Sequence, residues 1–390
     1  MEQTLHNKRH RFLWRVVWWP VRLWARAQYN YRPKIQPLKT PALIVSNHVT
    51  DLDPLFLALT VRNFTYFVAS EHVFRKNGKL LQWAMSPIPR MKGTTAGDTA
   101  LTAIRRLRAG HSVALFAEGN RTFNGVTADI VESTAKLARI SGASLVTHRF
   151  RGGYLTSPRW SGNSIRRGRF TGEIVRTLSP AELKAMKPEQ IADIIREDIY
   201  ENAYETQKEW NVPYIGKNLA EHIERAVCVC PKCESLGTLH SAGDRFSCEA
   251  CGLTGTYTPE GWLEGEDLPF RTVLDWDRWQ AQKLQAMADA AGDETPIASD
   301  DDIDLCEVLD DFEEVPREHG RLRIFRDRFE LSNRRILFKD ISGIAINGPQ
   351  TVTFTTMGRH FTLKSNRIRN LRKYLTLYHA VTARSKLLSI

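Results

Sequence analysis

The sequence predicts a layered α/β domain with a central, mostly parallel or mixed sheet, then a small cysteine-rich module and a small C-terminal β domain closed by a helix. Three observations support this architecture. Strand-like and helix-like segments alternate from about residue 40 to 220, five of six cysteines fall between Cys228 and Cys251, and short strand-like runs follow His319. Because such alternation is typical of α/β layer folds, we expect several domains in this 390-residue chain.

The first predicted domain spans residues 40–220 and begins with a βα unit. Ala42–Ser46 is predicted as a buried strand, and Asp53 with Pro54 forms a favourable helix start. Apolar spacing predicts the segments that follow. They are a helix over 98–109, a strand over 112–116, a helix over 130–140 and a strand over 144–147.

Residues 1–39 form an amphipathic segment before this domain. At about 100° per residue, its arginines fall in one sector of a helix and its large apolar side chains lie opposite. The arginines are Arg11, Arg15, Arg22 and Arg26, and the apolar side chains are Phe12, Leu13, Val16, Val17, Leu23 and Trp24. This pattern favours an interfacial helix kinked near Pro20. The alternative is a helix whose apolar face packs on the next domain.

The overall charge narrows the class of partner. A formal net charge of +11 favours an anionic partner, namely nucleic acid, an acidic membrane surface or a phosphorylated substrate. The sequence contains no run of about 20 apolar residues, so it predicts no membrane-spanning helix. The apolar stretch after Arg11 is interrupted by arginines and proline, and it lacks a signal-peptide cleavage site. We therefore expect a cytoplasmic protein that is peripheral on the cytoplasmic face of a membrane.

The segment Asn47–Pro54 carries the strongest chemical signal. It places His48 at a strand end and Asp53 five residues later, at the start of the next helix. A carboxylate that accepts a hydrogen bond from one imidazole nitrogen makes the other nitrogen a better base. Because no serine nucleophile is evident, we expect this base to act directly on a substrate hydroxyl that attacks an acyl carbonyl.

Two further blocks, Ile88-Pro89-Arg90 and Phe116-Ala117-Glu118-Gly119-Asn120-Arg121-Thr122, follow in order. Together with the histidine segment, they resemble the glycerolipid acyltransferase family, which includes 1-acylglycerol-3-phosphate acyltransferases, over residues 40–215. The resemblance implies transfer of a fatty acyl chain from acyl-CoA or acyl carrier protein to the free hydroxyl of a lysophospholipid, in phospholipid biosynthesis or remodelling. It also implies residue roles. His48 is the general base, Asp53 orients it, Arg90 and Arg121 hold the acceptor phosphate, and Glu118 and Gly119 shape that pocket.

Departures from the family pattern leave the acceptor open. Ala117 replaces the usual proline, Asn120 replaces threonine, and residues 145–150 replace an apolar Val-Pro stretch. Glycerol-3-phosphate or an aminolipid is an alternative acceptor. Arg166, Arg167 and Arg169 could add an acceptor or donor site, and His148 is interpreted as a packed histidine. A different class of function is a non-catalytic scaffold that binds a membrane or, less favoured, nucleic acid.

Residues 226–258 predict a zinc ribbon. Two Cys-x2-Cys knuckles, Cys230 with Cys233 and Cys248 with Cys251, are separated by fourteen residues. Four thiolates with no open position indicate a structural zinc ion, whose binding stabilises a module too small to fold alone. Cys228 is an alternative ligand.

The rest of the chain is predicted as a polar, acidic linker over 259–318 and a basic domain over 319–390. The linker ends in Asp300–Glu314, which holds nine acidic residues, whereas the basic domain has fifteen Lys and Arg against three Asp and Glu. Its strands and final helix weakly resemble a pleckstrin-homology-like domain. We expect the basic excess to attract anionic lipid. The alternatives are a solvated basic face or a dock for the acidic segment, which would then compete with lipid.

Overall fold

A computed structural model of the chain describes residues 2–70, 86–90, 97–162, 164–309 and 313–388. These residues divide into two compact units. Unit 1 consists of the described residues up to 159 together with 164–216, and unit 2 consists of 160–162 and the described residues from 217 onward.

Unit 1 contains a six-stranded sheet and the helices that cover it. Its helices are α1 (Glu2–Tyr29), α2 (Asp53–Val61), α3 (Gly97–Arg108), α4 (Ser133–Ser141), α5 (Gly153–Thr156), α6 (Pro180–Ala185), α7 (Pro188–Ile199) and α8 (Ala203–Trp210). Its strands are β1 (Ala42–Ser46), β2 (Tyr66–Ser70), β3 (Ile88–Arg90), β4 (Val113–Phe116), β5 (Ser144–Arg151) and β6 (Thr171–Leu178). The predicted βα alternation is confirmed, although β5 is longer than predicted and α4 begins three residues later than the predicted helix.

The strand order in unit 1 is β3-β2-β4-β1-β5-β6. The first five strands are parallel and β6 is antiparallel to β5, so the predicted mixed sheet is confirmed. In a parallel sheet the carboxyl ends of all strands meet at one edge, which is where ligands usually bind in open α/β sheets. Residues that follow β1 and β4 therefore lie close together at this edge.

Both faces of β1 are buried, which explains why Ala42 to Val45 are all apolar. On one face, Leu43 and Val45 pack with side chains of α3, α4 and α7. On the other face, Ile44 packs with α1 and α2, where Trp18 and Phe56 belong to the same apolar core. The central strand is thereby fixed from both sides, and so is the start of the segment that follows it.

Helix α1 has a buried face and an exposed apolar face. Trp14, Trp18, Ala25 and Tyr29 are buried, so the alternative interpretation of a packed helix holds for this face. Four other side chains form an exposed apolar stripe. They are Phe12 (65% exposed), Val16 (59%), Trp19 (56%) and Leu23 (64%). The helix continues through Pro20. Among the described residues, none of the helices is long and apolar enough to cross a membrane.

Unit 2 begins with a four-stranded antiparallel sheet in the order β10-β9-β8-β7. The strands are β7 (Leu239–Ala242), β8 (Arg245–Cys248), β9 (Thr254–Tyr257) and β10 (Leu263–Glu264). Helix α9 (Val273–Ala290) follows. Its Trp276 donates a hydrogen bond to the carbonyl of Val229 (2.9 Å), and Gln280 accepts one from the backbone N–H of Cys228 (2.8 Å). The helix therefore packs directly on the cysteine-rich segment.

The rest of unit 2 is a seven-stranded antiparallel sheet in the order β14-β13-β12-β11-β17-β16-β15. The strands are β11 (Ala298–Val308), β12 (Glu314–Ile324), β13 (Arg328–Leu331), β14 (Arg334–Leu337), β15 (Ile341–Asn347), β16 (Thr351–Thr356) and β17 (Arg359–Ser365). Helix α10 (Arg372–Leu388) follows the last strand. Tyr374 in this helix is fully buried, and its hydroxyl donates to the carbonyl of Leu322 (3.4 Å). The helix thus covers the sheet, as the sequence predicted.

The predicted linker over 259–318 is wrong. It contains helix α9, all of β11 and the first half of β12. Strand β11 lies between β12 and β17, so the acidic segment belongs to the sheet and is not a detachable competitor for lipid. The physical reason is charge pairing, since the acidic side chains of β11 meet basic ones from later strands. Residues 310–312 of the acidic segment lie outside the described residues.

These ion pairs also change the interpretation of the basic excess. Asp300 pairs with Arg369 and Lys373, whereas Glu307 pairs with Arg317 and Arg359. Within the described part of unit 2, every Arg and Lys from Arg321 to Lys373 except Lys339 forms an ion pair. The excess counted from His319 onward is therefore largely neutralised within the unit.

Candidate active site

His48 and Asp53 meet at the carboxyl edge of the unit 1 sheet. His48 lies two residues after β1, and Asp53 is the first residue of α2. The His48 Nδ1 atom is 2.8 Å from Asp53 Oδ2. The sequence predicted this fold-back of the carboxylate onto the ring, and the structure brings the two groups together.

Asp53 is fully buried, and several donors hold its carboxylate in place. Oδ2 accepts from the backbone N–H of Val49 (2.6 Å), and both oxygens accept from the N–H of Thr50 (3.0 Å each). The Thr50 hydroxyl donates to Oδ1 (2.6 Å). Because Pro54 follows Asp53 and fixes the backbone at the helix start, this carboxylate has little freedom to turn away from the ring.

One nitrogen of the His48 ring is hydrogen-bonded, and within the described part of the chain the other is not. Asp53 holds Nδ1, and Nε2 has no hydrogen-bond partner among the described residues. The ring stacks on Phe116 with a centroid distance of 4.3 Å and keeps 20% of its side-chain surface exposed. Burial lowers the pKa of His48 below its usual 6.5, although Asp53 opposes this shift. The ring is therefore neutral at neutral pH and can accept a proton at Nε2.

The loop after β4 holds the backbone of His48 on both sides. Glu118 accepts a hydrogen bond from the His48 N–H through Oε1 (2.7 Å), and Thr122 donates its N–H to the His48 carbonyl (3.0 Å). Glu118 also accepts from the N–H of Ala128 through Oε2 (2.7 Å). Gly119 has a φ of 68°, a left-handed conformation that favours glycine in this turn. Glu118 thus positions the backbone of His48.

Glu118 is 8% exposed and has an unusual acidity. The pKa of Glu118 is raised to about 8, mainly by burial and to a smaller extent by the nearby Asp53, although the two backbone donors oppose this shift. Loss of this carboxylate would leave the N–H groups of His48 and Ala128, whose hydrogen bonds are both partly buried, without this acceptor.

Arg121 lies at the same edge but is engaged with protein groups. Its Nη1 atom is 2.6 Å from Asp51 Oδ2, Nη2 donates to the carbonyl of Ser157 (2.8 Å), and Nε donates to that of Val49 (3.3 Å). The Arg121 side chain is 8% exposed, whereas that of Asp51 is 79% exposed. Burial tends to raise the pKa of Asp51, but Arg121 holds this pKa below its usual value. The predicted phosphate-binding arginine therefore already has an anionic partner.

Two residues that shape this edge have roles that the sequence analysis did not assign. Asn47 donates to the carbonyl of Phe150 (2.9 Å) and accepts from its N–H (2.8 Å), which continues the pairing of β1 with β5 beyond the strand. Arg159 is buried, donates to the carbonyl of Arg121 (2.7 Å) and lies 4.2 Å from the ring of Phe123. Asn47 precedes the candidate histidine, which was a usable signal, whereas nothing local marks Arg159.

Arg90 lies at the same edge of the sheet but farther from His48. It is the last residue of β3. Because β3 is three strands from β1, and neighbouring strands are about 4.8 Å apart, the two backbones are roughly 14 Å apart. The predicted pairing of Arg90 with Arg121 around one phosphate therefore needs a ligand large enough to reach both.

Three other basic residues named in the sequence analysis, Arg166, Arg169 and His148, each pack against the protein in a different place. Arg166 is 1% exposed, and Arg169 lies 4.2 Å from the ring of Trp210. His148 is fully buried and bonds to Ser46 (2.9 Å), and burial lowers the pKa of His148 to about 3. These contacts agree with the interpretation of His148 as a packed, neutral histidine.

Unit 2 brings the four predicted metal ligands together. The sulfur atoms of Cys230, Cys233, Cys248 and Cys251 all lie within 4.8 Å of one another. The Cys230–Cys251 and Cys233–Cys248 sulfur distances are 3.6 and 3.8 Å. Four thiolates at metal–sulfur distances of about 2.3 Å around a tetrahedral ion would be about 3.8 Å apart, so the set fits a zinc site. Cys228 is outside this cluster.

Comparisons with known proteins bear on the first unit. Residues 27–151 match the family model described as Acyltransferase, and this range contains the predicted site residues His48, Asp53, Arg90, Glu118, Gly119 and Arg121. A search of curated proteins finds no match. The crystal structure of the 1-acyl-sn-glycerophosphate (LPA) acyltransferase PlsC from Thermotoga maritima is similar at 16% identity with a TM-score of 0.41, covering 50% of this chain and 81% of that chain. The family match supports an acyltransferase class for residues 27–151.

Proposed function

We propose that this chain transfers a fatty acyl group from acyl-CoA or acyl carrier protein to the free hydroxyl of a lysophospholipid such as 1-acylglycerol-3-phosphate. The observation that carries the proposal is the His48–Asp53 pair, in which a buried carboxylate holds Nδ1 and leaves Nε2 open. The match of residues 27–151 to the acyltransferase family supports the reaction class. Phospholipid biosynthesis or remodelling is the corresponding cellular role.

In the proposed mechanism, Nε2 of His48 takes the proton of the acceptor hydroxyl as the oxygen attacks the thioester carbonyl. The tetrahedral intermediate then collapses, the carbon–sulfur bond breaks, and the thiolate takes the proton from His48. Asp53 fixes the tautomer and stabilises the imidazolium that forms in between. The lowered pKa of His48 supports this role because the base is unprotonated before each turnover.

The acceptor phosphate would bind at Arg121 by replacing Asp51. Guanidinium groups bind phosphate oxygens in pairs, and phosphate carries more charge than one carboxylate. The exposed side chain of Asp51 is free to swing away, whereas the backbone contacts of Arg121 keep the guanidinium in place. Arg90 would reach another part of the same substrate or the phosphates of an acyl-CoA donor.

The test is release of free thiol from a panel of acyl donors with lysolipids, glycerol-3-phosphate and an aminolipid as acceptors. We expect His48→Ala to lower the rate roughly 10²- to 10⁴-fold, the usual effect of general-base catalysis. His319→Ala is the matched control, because His319 is an exposed histidine of unit 2. Turnover unchanged in His48→Ala, or no thiol release with any donor, would contradict the proposal and favour the scaffold alternative.

We also propose that the four-cysteine cluster binds a structural zinc ion. The sulfur spacing leaves no room for a substrate position, which supports a role in folding. The strand order of the seven-stranded sheet and its closing helix support the pleckstrin-homology-like interpretation of this part of unit 2. Metal content of the purified protein, measured by mass spectrometry, tests the first of these two proposals.

Peripheral association with the cytoplasmic face of an anionic membrane completes the proposal. The exposed apolar stripe of α1 supports it, since contiguous exposed apolar residues on a helix flanked by arginines favour the membrane interface. A lipid-bound acceptor would then be within reach of a protein held at the same surface.

A further inference from the structure

A cluster of cationic groups lies where α1 meets the end of α3. The Arg11 Nη2 atom is 3.4 Å from His111 Nδ1 and 3.5 Å from the carbonyl oxygen of Gly110. The Arg106 guanidinium lies 4.3 Å from the centroid of the Tyr66 ring, and this ring is 5.6 Å from that of His111. Two guanidinium groups and an imidazole therefore converge around one aromatic ring.

No acidic side chain of these segments balances the cluster. The sequence has no Asp or Glu in 3–50, 54–70 or 99–117, which together supply α1 after Glu2, the end of α3 and the strands beside them. Within the described part of unit 1, neither Arg11 nor Arg106 forms an ion pair. Burial lowers the pKa of His111, and Arg11 and Arg106 lower it further, so the like charges affect one another. Two guanidinium groups without a carboxylate partner, beside a neutral imidazole, form a candidate site for an anion.

The surface beside the cluster identifies the source of that anion. Successive helix residues are about 100° apart, so Arg11 lies next to Phe12 on the helix surface and between the buried face and the apolar stripe. Arg15, Arg22 and Arg26 continue this row along the helix. An arginine row beside exposed Phe12, Val16, Trp19 and Leu23 suits the boundary between lipid headgroups and acyl chains.

We propose that Arg11, Arg106 and His111 bind the phosphate group of an anionic lipid headgroup while the apolar stripe of α1 enters the adjoining acyl layer. This inference rests on the proposed membrane association and identifies the lipid class and the residues that recognise it. An Arg11 N–H directed at Nδ1 places the ring proton of His111 on Nε2, so that the imidazole acts as a donor. The guanidinium of Arg106 is oriented by its packing on Tyr66.

The test compares two charge-matched double variants in a vesicle flotation assay. Arg11→Gln/Arg106→Gln removes the site, and Arg105→Gln/Arg108→Gln removes two exposed arginines of α3 outside it. On vesicles of phosphatidylcholine with phosphatidylglycerol, we expect the first variant to lower the partition coefficient about 30-fold, equivalent to about 1 kcal/mol per arginine. The second should lower it by less than about fivefold. On phosphatidylcholine alone, both should match the parent.

Several outcomes would overturn the inference. Equal losses in the two variants would show general surface charge in place of a site. Saturation of the His111 ring signals by inorganic phosphate without vesicles would show a site for a soluble anion, and binding of an acidic carrier protein with unchanged flotation would show a protein dock. If the double variant fails to fold, Arg11→Gln alone should still lower binding about fivefold, because Arg11 is exposed.

The assay contains no acyl donor, so its result is independent of turnover. His48→Ala should float like the parent protein. Flotation with normal dependence on Arg11 and Arg106 but without any thiol release would refute the proposed acyl transfer and leave the headgroup site standing. Thiol release together with flotation that does not depend on these arginines would refute the headgroup site and leave the proposed acyl transfer standing.

Discussion

The charged and reactive side chains of unit 1 and unit 2 have different partners. In unit 1, His48 keeps Nε2 open, and Arg11 and Arg106 have no carboxylate among the described residues. In unit 2, Arg328 pairs with Glu294, Asp327 and Glu330, and the four clustered cysteines have one another. Charged or reactive side chains that pair with other groups of the protein contribute to folding. Side chains without such a partner can bind a ligand.

This difference corrects the expectation from charge alone. Counting residues assigns the lipid-binding surface to the C-terminal region, because fifteen of its residues are basic and only three are acidic. The sheet neutralises most of that excess by including the acidic strand β11, from which Asp300, Asp301 and Glu307 pair with basic residues. Among the described residues of unit 1, Arg11 on α1 and Arg106 on α3 have no carboxylate partner.

Metal removal should cause the largest loss of stability, and this loss should be confined to unit 2. Zinc binding stabilises small cysteine modules by on the order of 10 kcal/mol. Removal of the metal by a chelator should therefore unfold the segment 226–258 and the part of α9 that packs on it. We expect hydrogen exchange to increase strongly in these residues and little in the sheet of unit 1. Unchanged exchange in 226–258 after verified metal removal would contradict the proposed zinc site.

Acid should destabilise unit 1 through His148. Its pKa is about 3 in the folded protein and about 6.5 when unfolded. The stability that goes with the neutral ring is full above pH 6.5 and is lost as pH falls towards 3, on the order of 5 kcal/mol in total. His148→Gln should flatten this acid limb in urea unfolding curves. If His319→Ala in unit 2 flattened the limb equally, the assignment to His148 would be wrong.

Asp51 offers a smaller test at the site itself. If it occupies the place of the acceptor phosphate, Asp51→Asn should lower the KM for a phosphorylated acceptor about fivefold, since an exposed ion pair contributes up to about 1 kcal/mol. Arg121→Lys should raise that KM, because lysine lacks the paired donors. An acceptor without phosphate is the control. A raised KM in Asp51→Asn would mean that Asp51 organises the site.

The smallest effect is expected for an exposed pair of unit 2. Arg335 lies beside Glu330, and its side chain is 69% exposed. Arg335→Gln should change the free energy of unfolding by less than about 1 kcal/mol and leave vesicle flotation unchanged. A loss of flotation as large as that of Arg11→Gln would remove the contrast between the two basic regions.

Local patterns predicted much of the fold and the central pair of the site. Apolar strands, the helix start at Asp53 and the cysteine knuckles are all signals within a few residues of one another, and the structure brings each set together as expected. The linker was wrong because acidic residues were interpreted without their partners, which follow up to about seventy residues later in the chain. Arg11 and His111 are 100 residues apart, so no local pattern connects them. Whether a charged side chain has an ion-pair partner depends on residues that are distant in sequence and meet only in the fold. The spacing of residues in the sequence does not show such pairs.

The central claim is that His48, held by Asp53, acts as the base of an acyl transfer. Its most direct test is the pH dependence of kcat/KM for thiol release. The lowered pKa of His48 predicts a rate that is constant at neutral pH and falls with acid through a midpoint below 6.5, as the ring becomes protonated. Asp53→Asn should lower the plateau roughly 10²- to 10⁴-fold. A midpoint above 6.5, or an acid limb that survives in His48→Ala, would contradict the claim.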